Sequence, residues 1–192
     1  MRISGGIDKG RLTTARGFFV RKSTNRKIRP TSTKVREALF DILRNNIRGA
    51  RFADLYAGTG SVGLEALSRG CSETTFIEND QFLITALRNN VQKLGYERRV
   101  CIAEGDVHKF LERALEKNTT FDIIFLDPPY HSDEIENVLP VIDQGTLVHD
   151  KGIVIVEHFF KKNTPDTLNM LKVCRSYRYG DTMLTLYRKK CL

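Results

Sequence analysis

A chain of 192 residues with 41% hydrophobic content is sized for one full domain with a small appendage, and needs no separate second domain. Its net charge of +8 is uneven: residues 1–36 hold 11 Lys/Arg against Asp8 alone (+10), and the remainder holds 20 Lys/Arg against 22 acids (−2). An excess gathered into an amino-terminal arm suits contact with a polyanion. Cys71, Cys101, Cys174 and Cys191 contain no C-x-x-C pair, and His108, His131, His149 and His158 lack ligand spacing, which argues against a disulfide framework and against a structural metal. No apolar stretch approaches the roughly 20 residues of a spanning helix and the start lacks an apolar signal core, so a cytoplasmic protein without membrane contact is expected.

In chain order, residues 1–30 alternate basic residues with Gly, Thr and short apolar pairs, consistent with a small β-hairpin or extended arm closed by Arg29-Pro30. Arg11, Arg21, Lys22, Arg26, Lys27 and Arg29 are its candidate phosphate contacts, and Phe18 and Phe19 either stack on bases or pack on the domain. Val35, Leu39, Ile42, Leu43 and Ile47 follow helical spacing from Thr33, with Gly49 past the end. Residues 52–56 then read as a strand, Gly58-Thr59-Gly60 as a tight turn, and 62–69 as a helix stopped by Gly70.

The alternation continues with strands over 74–78, 99–103, 121–127 and 153–157, and helices over 82–94, 107–116, 134–142 and near 166–171. Two last strands, 173–179 and 182–188, are joined across Gly180-Asp181, a link short enough to demand an antiparallel hairpin. Alternating strands and helices predict an α/β domain with a mostly parallel sheet covered on both faces.

Ligands of such sheets bind at the carboxyl ends of the strands. There the glycine turn, spaced Gly58-x-Gly60-x-x-Gly63, lets a ligand approach the backbone and the helix amino terminus. The same spacing serves a plain strand-to-helix connection, so the motif alone leaves both readings open. Successive strands, however, end in acids: Glu78 closes the second, Asp106 follows the third and Asp127 closes the fourth. Glu78 is placed for ribose hydroxyls and Asp106 for an adenine amino group, although Asp106 also suits a helix cap before Val107.

Asp127-Pro128-Pro129-Tyr130 is the most specific stretch. The prolines end the strand because neither can donate to a sheet ladder. An acceptor-only carboxylate, a carbonyl in a stiff turn and an aromatic face together fit a planar ring bearing an NH2 group.

These residues resemble the S-adenosylmethionine-dependent methyltransferases of the Rossmann-like class I type, in which D/N-P-P-Y/F marks methylation of planar amino groups. More narrowly, the chain is similar to the bacterial guanine-N2 methyltransferases of small-subunit (16S) ribosomal RNA, over nearly its whole length. The matching stretches are 1–6 with Gly10-Arg11-Leu12, Arg29-Pro30-Thr31, 35–40, 55–60, 63–70 and Tyr179-Gly180-Asp181-Thr182.

The resemblance implies a seven-stranded sheet, a catalytic domain over residues 31–192 behind an arm over 1–30, and S-adenosylmethionine lying over Gly58, Thr59 and Gly60. Glu78 and Asn79 would meet its ribose side, Asp106 and Val107 the adenine, and Asp54, Tyr56 and Ala57 the amino acid end. Asp127, Pro128, Pro129 and Tyr130 would hold the target amine. Arg36, within the matching helix, would contact the RNA. The expected partner is ribosomal RNA or an assembling small ribosomal subunit, met by a monomer.

Overall fold

The structure, a computed structural model, describes residues 2–13, 32–129 and 132–190. Strands β1 (Arg51–Leu55), β2 (Glu73–Glu78), β3 (Val100–Glu104), β4 (Phe121–Leu126), β5 (Val148–Phe159), β6 (Leu171–Tyr179) and β7 (Thr182–Lys189) make one sheet in the order β3-β2-β1-β4-β5-β7-β6. β1 to β5 pair in parallel, and β7 alone runs against the rest because it pairs antiparallel with both β5 and β6. The expected hairpin is thus present, and β6 points the same way as β4 and β5.

Residues alternate across the sheet, so each strand feeds two cores. From β4, Ile123 and Phe125 pack with helices α1 (Thr33–Leu43), α2 (Ser61–Ser68) and α3 (Gln81–Leu94) through Leu39, Leu64, Leu67 and Leu87. Ile124 and Leu126 pack on the other face with α4 (Val107–Glu116) and α5 (Glu134–Ile142) through Leu111, Val138 and Leu139.

Local signals set the helix ends. The Ser32 hydroxyl accepts from Val35 N at 3.2 Å to start α1, Asp80 accepts from Phe82 N at 2.8 Å to start α3, and Gly95, at φ 75°, ends α3 in the left-handed region.

Two expectations need correction. No helix forms over 166–171. The Asp143 carboxylate, buried at the end of α5, instead accepts from the backbone N–H groups of Asn169 (2.7 Å), Met170 (2.9 Å) and Leu171 (2.7 Å), and so satisfies donors that a helix would have used internally. β5 also begins earlier than residue 153. A register shift opposite Phe121/Ile123 carries it through polar residues 149–151 to Gly152, where an added Cβ would sit 2.7 Å from Val148 Cγ1 and 2.8 Å from the His149 carbonyl.

Residues 2–13 fold back on themselves, with Ile3 N donating to the Arg11 carbonyl at 3.1 Å and Ile3 entering the core. This segment docks on the end of α2, where Ser68 Oγ donates to the Gly5 carbonyl at 2.7 Å and accepts from Asp8 N at 2.9 Å. Among the described residues, no helix is long and apolar enough to cross a membrane and no group of three or more His, Cys, Asp or Glu could hold a metal ion.

Candidate active site

The strand order reverses between β1 and β4, and this switch point opens a crevice at the carboxyl ends. Leu55 pairs with both Ile77 and Leu126, so β1 and β4 end level with one another and β2 runs one residue further, to Glu78. Tyr56, Glu78 and Asp127, each one residue further on, are therefore side by side.

The Glu78 carboxylate holds the turn beside it. One oxygen accepts from Gly58 N at 2.7 Å, and the other accepts from Asn79 N at 2.9 Å and Asp80 N at 3.0 Å. A carboxylate has about four acceptor positions, so three bonds leave room for about one more donor. A ribose offering both hydroxyls would have to displace the Gly58 N–H.

Gly58 adopts φ 58°, and a Cβ built on it meets nothing within 4 Å. The turn is therefore open on its crevice side. Gly60, at φ 80°, has the opposite surroundings, since its Cβ would lie 2.3 Å from Leu87. The turn is braced from behind by the buried Asn90, whose side-chain N–H donates to the Thr59 carbonyl at 3.1 Å. Ala57 N donates to the Ile77 carbonyl at 2.9 Å, tying the turn to β2.

Asp54 lies beneath the turn, buried, and accepts from Gly63 N at 2.8 Å. Burial pushes its carboxyl well above the usual range. The Gly63 bond pulls it back, while the nearby Asp127 and Glu78 charges push it further up. Both neighbouring acids thus act on the buried Asp54 from the crevice side of the turn.

Tyr56 is one of two non-glycine residues with positive φ among the described residues, at 68°. Its hydroxyl donates to Glu134 at the start of α5; burial, and then this acceptor, raise the phenol far above its usual value and keep it protonated. Asp106 caps α4, accepting from Lys109 N at 3.0 Å, which leaves its other oxygen for a ligand, and Val107 is buried beside it.

After β4, Asp127 is half-buried, Pro128 buried and Pro129 exposed. The Ser132 N–H (3.1 Å) and hydroxyl (2.7 Å) both close on the Pro129 carbonyl. Lys162 then donates to the Ser132 carbonyl and pairs with Glu136 at 3.0 Å, fastening the turn to β5 and α5. Tyr130 lies outside the described residues, as do Phe18, Phe19, Arg21, Lys22, Arg26, Lys27 and Arg29.

The remaining RNA candidates are placed unlike one another. Arg11 is half-exposed but pairs with Asp8 at 2.5 Å and donates to the Lys93 carbonyl at 2.7 Å. Arg36 is not at the surface. It is fully buried and donates to Glu65 at 2.6 Å and to the Arg2 carbonyl at 2.9 Å, which leaves no guanidinium face for a phosphate. Glu134, Asn90 and Lys162 belong to no sequence motif, and their partners are distant along the chain: 78 residues for Glu134, 31 for Asn90, and 30 and 26 for Lys162 with Ser132 and Glu136.

The sheet order, the turn at the switch point and the acids along one edge define a Rossmann-like class I methyltransferase. The fold superposes on a solved structure of the Escherichia coli protein yhhF with a TM-score of 0.81 and 27% identity, covering 100% of this chain and 99% of that one. The chain belongs to the family described as Conserved hypothetical protein 95, which matches residues 1–188, and it is a relative of the ribosomal RNA small subunit methyltransferase D proteins. It is 32% identical over 176 residues to the protein of that name from Haemophilus influenzae, spanning 90% of this chain and 86% of the relative. To YlbH of Bacillus subtilis it is 32% identical over 190 residues, 99% of this chain and 100% of the relative.

Proposed function

We propose that the protein transfers a methyl group from S-adenosylmethionine to the exocyclic N2 amino group of a guanine in small-subunit ribosomal RNA. The observation that carries this reading is the register of β1, β2 and β4, which sets the open Gly58 turn, Glu78 and Asp127 around one crevice. The name of the Haemophilus influenzae relative supports small-subunit ribosomal RNA as the substrate. Guanine rests on the resemblance of nearly the whole chain to the bacterial guanine-N2 methyltransferases, since the Asp127-Pro128-Pro129-Tyr130 motif fits any planar amino group.

The residues fit the cofactor. The space in front of Gly58 admits a ligand against the backbone, Glu78 has capacity for a ribose hydroxyl, and the uncapped oxygen of Asp106 suits an adenine amino group. S-adenosylmethionine, when bound, supplies a methyl group activated by a positively charged sulfur. Glu78 and Asp127 place acidic side chains at the crevice, which suits that charge.

Asp127 and the Pro128 carbonyl each accept one amino hydrogen of the base, holding the nitrogen and favouring the pyramidal geometry that frees its lone pair. Tyr130 stacks on the ring. A carboxylate is an acceptor-only group, which suits Asp127 to an amino hydrogen. Positioning and electrostatics carry the rate, because the amine becomes acidic as the methyl transfers. Residues 1–30 serve as an RNA-facing arm, anchored through residues 2–13, on a catalytic domain of residues 31–192. A base must leave its stack or lie in a loop to enter such a site.

The test is transfer of labelled methyl to naked small-subunit RNA, assembled small subunits, duplex DNA and release-factor protein in parallel. Label is expected in RNA. Asp127→Ala removes one charge-assisted acceptor and is expected to lower turnover by about 10²–10³-fold. Label confined to DNA or protein, or near-full turnover by Asp127→Ala, overturns the proposal.

A further inference from the structure

The near-neutral body hides a second basic segment. Residues 159–190 hold eight Lys/Arg against Asp166 and Asp181 alone, +6, so residues 37–158 carry −8. The topology returns part of this segment to the active edge. Because β6 runs parallel to β4, its carboxyl end, Tyr177 to Tyr179, opens on the same side as Asp127. Three strand steps of about 4.8 Å place β6 about 14 Å from β4.

Four of the eight cations are committed elsewhere. Lys162 pairs with Glu136, Lys189 pairs with Asp150, Arg188 donates to the Lys151 carbonyl and Lys190 to that of Leu168. Lys161, Arg175 and Arg178 are exposed, and among the described residues no carboxylate lies within ion-pairing distance of them. Arg178 Nε donates to the nearby Gly180 carbonyl at 2.9 Å, and each of the three stands by a half-buried ring. Arg178 lies 3.9 Å and Lys161 5.6 Å from the Phe160 ring centre, and Arg175 lies 6.0 Å from that of Tyr177.

An edge strand needs charge to block pairing with other chains. Edge protection requires neither a single sign nor rings. Cations interleaved with aromatic faces are what a flexible nucleic acid strand uses, phosphates meeting the charges and bases the rings. The surface is also joined to the catalytic turn, since Phe160 N donates to the Asp181 carbonyl at 2.9 Å and Lys162, two residues on, reaches Ser132.

We propose that Phe160, Lys161, Arg175, Tyr177 and Arg178 form a second RNA-binding surface, which takes unpaired nucleotides flanking the target base. This rests on the ribosomal RNA reading above.

The test measures binding of an unmodified small-subunit RNA transcript over a salt series. For Lys161→Ala/Arg175→Ala/Arg178→Ala, the slope of log affinity against log salt is expected to fall by about 2, from roughly 0.7 for each contact to a single strand. Phe160→Ala is expected to weaken binding about fivefold or more with little change in slope. S-adenosylhomocysteine affinity and melting temperature serve as controls for folding, and Arg175→Lys/Arg178→Lys is expected to keep the wild-type slope. Variants that match the wild type in affinity and slope, while the wild type methylates RNA, refute the surface and leave the activity standing. Variants weakened only towards assembled subunits, with naked RNA unaffected, point to a protein partner and equally refute it. A wild type that labels no RNA overturns the functional reading and this surface with it.

Discussion

Replacing Glu65 with Gln tests how the amino-terminal segment is fastened behind α2. Glu65 is fully buried in α2 and accepts from Arg36 Nε at 2.6 Å, Arg69 Nε at 3.0 Å, Arg69 Nη2 at 2.8 Å, Ser4 N at 3.2 Å and the Ser4 hydroxyl. The amide turns one acceptor into a donor facing other donors, and it leaves the buried Arg36 guanidinium without its counter-charge. Breaking a buried pair in this way costs about 3–5 kcal/mol. Unfolding entropy near 2.1 cal/mol/K per residue gives roughly 0.4 kcal/mol/K for 192 residues, so the melting temperature should fall by about 8–12 °C. Burial alone would raise the Glu65 carboxyl, but the bonds from Ser4, Arg69 and Arg36 outweigh it and hold the group below its usual range. A depressed carboxyl stabilises the fold above its unfolded value of about 4.3, and that contribution fades as pH falls through the folded value. Scanning calorimetry at neutral and acid pH should therefore show a gap between wild type and variant that narrows in acid. A variant melting within about 3 °C of the wild type at neutral pH would show that the network contributes little.

Two other substitutions separate binding from stability. Gly58→Ala places a Cβ in open crevice at φ 58°, so it should cost about 1–2 kcal/mol of backbone strain yet weaken S-adenosylhomocysteine binding at least about tenfold by calorimetry. Unchanged affinity would mean that the cofactor does not lie against Gly58. Asp54 has the opposite sign to Glu65: its raised carboxyl favours folding below about pH 3.9, and this is lost as pH rises through the folded value. Asp54→Asn removes that dependence, so urea unfolding should show the variant gaining stability relative to wild type from acid to neutral pH. A constant difference would contradict it.

Features governed by neighbouring residues were readable in the sequence. α4 and α5 span 107–116 and 134–142 as expected, and Asp106 and Gly95 act as local start and stop signals. Parallel strands also align their ends, so the glycine turn, Glu78 and Asp127 could be anticipated on one edge. What escaped depends on distant partners. The segment 166–171 looks helical until Asp143 supplies its acceptor, and Arg36 looks like an exposed cation until Glu65, 29 residues away, buries with it. Glu134 and Lys162 brace the site through bonds to Tyr56 and Ser132 that no local pattern announces. The basic residues of 159–190 escaped by averaging, since the acids of the preceding stretch cancel them.

The insertion of β7 between β5 and β6 also bears on how the molecule is made. Of the seven strands, the one synthesised last is an interior one. Until residues 182–189 leave the ribosome, β5 has an open edge and β6 has no neighbour in the sheet. The nascent chain therefore carries two unsatisfied strand edges beside a finished half-sheet, an arrangement open to pairing with other chains. Closure of the sheet, and with it the placing of β6's carboxyl end on the same side as Asp127, must wait for the final strand to thread into its slot.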